Sequence, residues 1–142
     1  MAHVSSAMAG LGRLLDESFP DKRRRVFGKG DVLLGASRPV DEIVVVVSGY
    51  IGLAWANDIT CVERGTQVLG LDAVLSGQET ELTAIARSQV IAFSISKDEL
   101  SGAISTSGQL ALAVTQVLAE LAATRQSRLE RTVHYSNSYL ES

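Results

Sequence analysis

The sequence has few of the residue types on which metal and catalytic sites usually depend. Its 142 residues include one cysteine and two histidines. The lone Cys61 excludes an internal disulfide and a zinc or iron–sulfur site built from cysteines. His3 and His134 lie near opposite ends of the chain, so we expect no metal site and no Ser–His–Asp catalysis. The sequence therefore predicts a protein that is not an enzyme.

Long hydrophobic runs and a strong net charge are also missing. The longest aliphatic run, Ile43 to Val47, is too short to span a bilayer. No basic segment precedes the first apolar residues, which argues against a secretory signal. A net charge of −3 gives no general attraction to nucleic acid or to an anionic membrane. We therefore expect a soluble, cytoplasmic protein without membrane contacts.

The residues that are present predict one globular domain over 1–142, because 46% are hydrophobic and 20% are charged. Apolar residues at helical spacing predict a short amphipathic helix from Met8 to Glu17, which ends before Pro20. The basic run from Lys22 to Arg25 follows. In an acidic chain this run is more typical of a solvated edge than of a nucleic-acid patch.

The middle of the chain consists of short strand-like runs separated by glycines. Eight of the twelve glycines lie between Gly28 and Gly77, as expected for corners between strands. The pattern predicts an antiparallel sandwich or jelly roll. Ile43 to Val47 predicts a strand that is covered on both faces, with helices packed outside it. The predicted strands are Arg24–Phe27, Val32–Leu34, Glu42–Ser48, Tyr50–Trp55, Ile59–Glu63, Leu82–Ala86 and Gln89–Ser96.

Two helices are predicted after the last strand. Ser96 and Glu99 form a capping-box pattern that begins the first helix, which stops near Ser105 to Gly108. The second helix runs from Gln109 to about Arg131 and carries two apolar stripes. One stripe can cover the strands while the other meets a partner helix, which predicts a homodimer. The alternative, that both stripes belong to the core, stays open. The predicted interface residues are Leu110, Val114, Val117, Leu118 and Leu121.

Several segments together resemble the cyclic-nucleotide-binding domain of the catabolite-activator (Crp/Fnr) regulators. They are Phe27–Leu34, Asp41–Gly49, Gly65, the Leu69-Gly70 turn, Leu75–Gln78 and the passage Gln89–Leu100. The resemblance covers about Pro20 to Arg131. It implies a cupin-like antiparallel jelly roll over about 20–96, preceded by a short helix. Helices follow over about 97–131, and the last of them is the dimerisation helix.

The resemblance also identifies a candidate ligand site. In that family a Phe-Gly-Glu turn, a short helix and an Arg-Ser or Arg-Thr pair form a phosphate cassette. The arginine pairs with the cyclic phosphate, the glutamate takes the ribose hydroxyl, and backbone N–H groups cap the anion. Here Leu71 replaces the glutamate and Thr80 the arginine, so cyclic-nucleotide binding in the family manner is not expected and no cofactor is predicted. The candidate cassette residues are Gly70, Leu71, Asp72, Thr80 and Glu81.

Further family contacts come from the long helix. Base contacts would fall on Thr124, Arg125, Gln126 and Ser127, although a solvated helix end explains those residues equally well. The family's activators carry a helix-turn-helix domain beyond this helix. Only eleven residues follow Arg131, so we expect no direct DNA binding. The chain is either a stand-alone sensor fold or a fragment of a longer protein.

Two functions remain open at this point. The first is a non-catalytic regulatory module with a degenerate phosphate cassette. It would act as a dimer through contacts with another protein or through an unidentified ligand. The second is a genuine cAMP- or cGMP-binding effector domain of a Crp/Fnr-type transcription regulator. The lack of any arginine between Arg64 and Arg87 favours the first.

Overall fold

The computed structural model describes residues 6–35, 40–55, 60–80 and 82–123. Among these residues, no helix is both long enough and apolar enough to cross a lipid bilayer. The elements in chain order are α1 (Ser6–Ser18), β1 (Arg25–Phe27), β2 (Val32–Leu34), β3 (Glu42–Ser48), β4 (Tyr50–Trp55), β5 (Thr60–Arg64), β6 (Gln67–Leu69), α2 (Leu71–Ser76), β7 (Leu82–Ala86), β8 (Val90–Ser96), α3 (Lys97–Thr106) and α4 (108–123).

The strands form two antiparallel sheets. The first sheet has the order β1-β8-β3-β6 and the second has the order β2-β7-β4-β5. In the first, Val45 lies opposite both Phe93 and Val68; in the second, Ile51 lies opposite both Glu63 and Ala86. This arrangement confirms the predicted antiparallel jelly-roll class.

Strand β3 is buried on both faces, as the sequence predicts. Ile43 and Val45 pack into the core on the helix side of the first sheet, whereas Val44 and Val46 pack into the core between the sheets. All four side chains are 8% exposed or less. Burial of such a side chain contributes about 1.5–3 kcal/mol. One strand therefore belongs to both cores.

One strand is missing from the sequence prediction. Strand β6, Gln67–Leu69, pairs with β3, and all three of its residues are buried. It is too short to show an alternation of apolar and polar residues, which is the usual sign of a half-buried strand. The other strands lie at or within about one residue of their predicted bounds, as is usual for element ends.

The helices pack outside the first sheet and correct part of the dimer prediction. Leu110, Val114 and Val117 of α4 are 1%, 5% and 0% exposed within the chain. They pack in one cluster with residues of α1 and β3, so they are not available to a partner. Leu118 and Leu121 are half-buried against the same cluster. The predicted part of this helix beyond residue 123 lies outside the described residues.

The capping box at the start of α3 is present. Ser96 Oγ accepts a hydrogen bond from the Glu99 amide at 3.1 Å, and the Glu99 carboxylate accepts one from the Ser96 amide at 3.1 Å. Lys22 Nζ lies 2.6 Å from the other carboxylate oxygen of Glu99. The hydrogen bond from Lys22, followed by that from the Ser96 backbone, lowers the pKa of Glu99. The first residue of the basic run is thus engaged within the chain.

Arg24 joins the end of α1 to the first sheet. Its guanidinium donates hydrogen bonds to the carbonyl oxygens of Asp16, Phe19 and Lys22 and to the Asp16 carboxylate. It also lies 4.0 Å from the centre of the Phe93 ring. A cation at a helix C-terminus satisfies carbonyl groups that have no partner inside the helix. Lys22 and Arg24 are therefore structural, which differs from the solvated edge that the sequence predicts, whereas Arg23 and Arg25 are exposed.

We expect the substitution Arg24→Ala to lower the free energy of unfolding by about 2–3 kcal/mol, because charge-assisted hydrogen bonds and a cation–π contact are lost together. The neighbouring Arg23 is exposed. Arg23→Ala should therefore change stability by less than about 0.5 kcal/mol. Urea titration of both variants measures the difference. Equal losses would contradict the structural role of Arg24.

Candidate functional site

The predicted turn at Gly70 lies between β6 and α2. Gly70 has a φ of 83°, in the left-handed region that glycine adopts without strain. Its carbonyl accepts a hydrogen bond from the Val74 amide at 2.9 Å. The helix ends at Gly77, which is also left-handed and whose amide donates to the Ala73 carbonyl. The strand, turn and short helix are therefore arranged as the resemblance implies.

Aliphatic side chains pack against this turn. A Cβ atom placed on Gly70 would lie 3.2 Å from Val40 Cγ1 and 3.6 Å from Leu34 Cδ1. Leu34 belongs to the core between the sheets, and Val40 packs at its edge. An anion held next to Gly70 would therefore lose water without gaining a cation from these two neighbours.

The two residues that replace the family's charged pair have other roles. Leu71 is 1% exposed and packs in the helix-side core. Thr80 is 8% exposed, and its hydroxyl oxygen accepts a hydrogen bond from the Leu82 amide at 3.1 Å. Such a local bond is typical of threonine in a turn before a strand. Asp72 follows Leu71 in α2 and is half-buried.

Other predicted site residues stay predictions. Glu81 lies outside the described residues, and so do Thr124, Arg125, Gln126 and Ser127. The structure brings Gly70, Leu71 and Asp72 together simply because they are consecutive. The hydrogen bond of Thr80 is with Leu82 at the start of β7 rather than with this turn.

Two buried polar residues near the corner between β5 and β6 were not predicted. Glu63 is 8% exposed and lies opposite the buried Ile51. Gln67 is 4% exposed and lies opposite the buried Val46. Residues opposite each other on paired strands share a face, so both side chains point between the sheets. Gln67 Nε2 is buried without a hydrogen-bond partner, which costs about 1–3 kcal/mol.

The sequence carries no signal for either residue. Cys61-Val62-Glu63 shows no alternation of apolar and polar residues, and the inward position of Glu63 becomes clear only once β5 is paired with β4. Gln67 lies in the unpredicted strand β6, which is too short to show such an alternation.

Cys61 lies beside Glu63 on the same strand. Its Sγ is 3.9 Å from Glu63 Oε1. Burial, and then the negative charge of Glu63, raise the pKa of the Cys61 thiol. Since the thiolate is the reactive form, Cys61 is a poor nucleophile at neutral pH. Its side chain packs as a small apolar group against the core between the sheets.

A surface cleft of about 340 Å³ lies among the helices. It is formed by the end of α1, by α3 and by the start of α4, and Phe19, Glu99 and Leu110 line it. Glu99 is already bound to Lys22 and to the Ser96 amide. Within the described parts of the chain, no three histidine, cysteine, aspartate or glutamate residues are grouped to hold a metal ion.

No protein-family model matches the chain, and a search of curated proteins finds no match. Solved structures do match. A transcriptional regulator from Thermotoga maritima has a TM-score of 0.70 at 16% identity, covering 81% of this chain and 94% of that one. The catabolite activator protein of Thermus thermophilus has a TM-score of 0.68 at 16% identity, covering 85% and 58%. Oxidized CprK in complex with o-chlorophenolacetic acid has a TM-score of 0.63 at 15% identity, covering 83% and 52%.

The chain has the fold of the Crp/Fnr-type regulatory domain. This confirms the resemblance drawn from the glycine-separated strands. The chain spans 58% and 52% of the length of the second and third of these regulators. At such low identity the likeness shows the Crp/Fnr-type fold alone, and the ligand has to be argued from this chain's own residues.

We expect Cys61 to react with iodoacetamide more slowly than free cysteine at the same pH, because its raised pKa leaves less thiolate. Glu63→Gln removes the neighbouring negative charge and should lower the thiol pKa, so the reaction should become faster at neutral pH. The alkylation rate measured against pH tests both statements. An unchanged rate profile in Glu63→Gln would contradict the electrostatic part of this account.

Proposed function

We propose that this chain is a non-catalytic regulatory module that keeps the Crp/Fnr-type fold without a working phosphate cassette. The observation that carries the proposal is the position of Leu71. In the family, the residue at this place binds the ribose hydroxyl. Here its side chain is 1% exposed and packs in the helix-side core, where it offers no hydrogen-bond acceptor to a ligand.

The phosphate side of the cassette supports the same conclusion. Thr80 stands where the family has arginine, and its hydroxyl oxygen accepts from the Leu82 amide. Val40 and Leu34 pack against the Gly70 turn. A charge-assisted hydrogen bond contributes about 1.5–3 kcal/mol, so the loss of the arginine alone weakens binding by about tenfold or more. The loss of the ribose acceptor adds to this.

The alternative, a genuine cyclic-nucleotide receptor, is favoured by one feature: Gly70 keeps the left-handed conformation of an anion-binding turn. Isothermal titration calorimetry distinguishes the two functions. We expect cAMP and cGMP to give no saturable heat below about 1 mM. Micromolar binding of either nucleotide by the unmodified chain would overturn the proposal.

The role of Leu71 can be tested separately. Leu71→Glu would bury a carboxylate in the helix-side core, and we expect a loss of about 3 kcal/mol or more in the free energy of unfolding. Ser76→Glu, at an exposed position of the same helix, should change stability by less than about 0.5 kcal/mol. A stable Leu71→Glu variant that gains affinity for cAMP would mean that this side chain can reach the ligand site.

Thr80→Arg combined with Glu81→Ser restores the family's phosphate partner while Leu71 keeps its place in the helix-side core. We expect no saturable cAMP heat from this variant, because Leu34 and Val40 still pack against the turn. The same calorimetric titration measures the result. Recovery of submillimolar binding would show that the turn keeps its anion-binding shape and that the missing arginine was the sole defect.

We further propose that the module is a homodimer that pairs through the solvent face of α4. Leu112 is 59% exposed. Thr115, Ala119 and Ala122 are also exposed and follow it at helical spacing. Small, uncharged side chains allow two helices to approach closely, as in coiled-coil pairs. This face differs from the predicted interface, because Leu110, Val114 and Val117 of that interface are buried within the chain.

Light scattering tests the dimer. The wild-type chain should have a mass of roughly 30 kDa at micromolar concentration, twice that of one chain. Leu112→Glu places a charge at the proposed contact and should give the mass of one chain. Ser101→Glu, at an exposed position of α3, serves as the control and should leave the mass unchanged. A wild-type mass of one chain would contradict the proposal.

A further inference from the structure

The outer face of the second sheet carries a row of three apolar side chains and one glycine. Val32, Ile85, Gly52 and Val62 lie directly opposite one another across its four strands. The two ends of the row, Val32 and Val62, are 57% and 56% exposed. Directly opposed residues on neighbouring strands are in side-chain contact range. Val32 and Ile85 therefore form one apolar patch and Val62 another, on the two sides of Gly52.

Arg64 lies beside this row, and Arg87 lies across it. The Arg64 guanidinium lies 5.4 Å from the centre of the Tyr50 ring, and Tyr50 is 43% exposed. The Arg87 side chain lies across Gly52, since a Cβ atom on Gly52 would be 2.7 Å from Arg87 Nε. The Arg87 amide donates to the Tyr50 carbonyl at 2.9 Å. A glycine in the middle of a strand is typical where another group must come close to the backbone.

Among the residues that the structure describes, these two arginines form no ion pair. Arg64 and Arg87 are exposed, and the ion pairs found within the described residues are formed by Lys22 and Arg24 instead. The acidic residue of β5, Glu63, points to the opposite side of the sheet. The chain as a whole carries a net charge of −3. The outer face of the second sheet is thus a local positive and apolar surface on an acidic protein.

We propose that this face docks an acidic protein segment that also carries apolar side chains; the proposal rests on the regulatory function proposed above and names the chemistry of its partner. Guanidinium groups bind carboxylates through paired hydrogen bonds. The apolar row would cover the aliphatic or aromatic side chains of the same segment. A nucleic acid fits less well, because it is bound through many phosphate contacts and presents little apolar surface to a row of valines.

A random dodecapeptide display library, selected on the full chain, tests the proposal. We expect enriched peptides with net negative charge and several apolar residues. Their affinity should fall by about tenfold or more for the double variant Arg64→Ser with Arg87→Ser, because both charged partners are lost. The control Arg23→Ser with Lys97→Ser removes the same charge from exposed positions outside this face. It should bind as the wild type does.

Gly52→Ala separates geometry from charge. The added methyl group would displace the Arg87 side chain without changing the net charge, and we expect weaker peptide binding with unchanged thermal stability. Amide chemical-shift mapping with the best enriched peptide should show changes on β4, β5 and β7. No enrichment, a neutral or basic consensus, or equal binding by the double arginine variant would overturn the proposal.

Two competing occupants have their own readouts. If duplex DNA shifts the same amides at physiological salt, the partner is a nucleic acid and not an acidic segment. If the chain associates with itself in a concentration-dependent way and Val62→Ser abolishes that association, the partner is a second copy of the chain. All of these measurements are made without nucleotide. Micromolar cAMP binding would therefore overturn the proposed function but not the docking proposal. If no peptide is enriched and cAMP gives no saturable heat, the docking proposal alone is overturned.

Discussion

The double burial of β3 is the constraint on which the rest of the structure depends. Its alternate residues, Ile43 and Val45 on one side and Val44 and Val46 on the other, belong to two different cores. A strand of this kind requires a helical layer over one face and a second sheet over the other. If the pairing slipped by one residue, both sets of side chains would exchange cores. The positions of α1, α4 and the second sheet all follow from this demand.

Because the helices cover β3, only part of their surface stays accessible to a ligand or partner. Val114 and Val117 of α4 are used to bury the helix side of the first sheet, which leaves the face around Leu112 for another chain. Leu71 is drawn into the same core at the start of α2. In the function that we propose, core packing takes the position at which the Crp/Fnr-type cassette places its ribose acceptor.

The sequence predicts this fold well wherever local pattern and tertiary demand agree. The strand Glu42–Ser48 and the Ser96 cap lie where the periodicity and the capping box place them. The prediction fails where the information is not local. Strand β6 is defined by its pairing with β3, and the choice between the two stripes of α4 depends on which one meets the sheet. The inward position of Gln67 likewise depends on strand pairing.

The docking proposal finally depends on the register of one edge strand. Because Glu63 lies opposite Ile51, Glu63 points between the sheets while Val62 and Arg64 point outward. The same alternation places a buried carboxylate beside Cys61 and a cation beside Tyr50. A shift of β5 by one residue would expose Glu63 and remove the positive surface along with the apolar row. The outer face is therefore a consequence of how the interior is packed, and a change that loosens β5 would alter both sides of the second sheet at once.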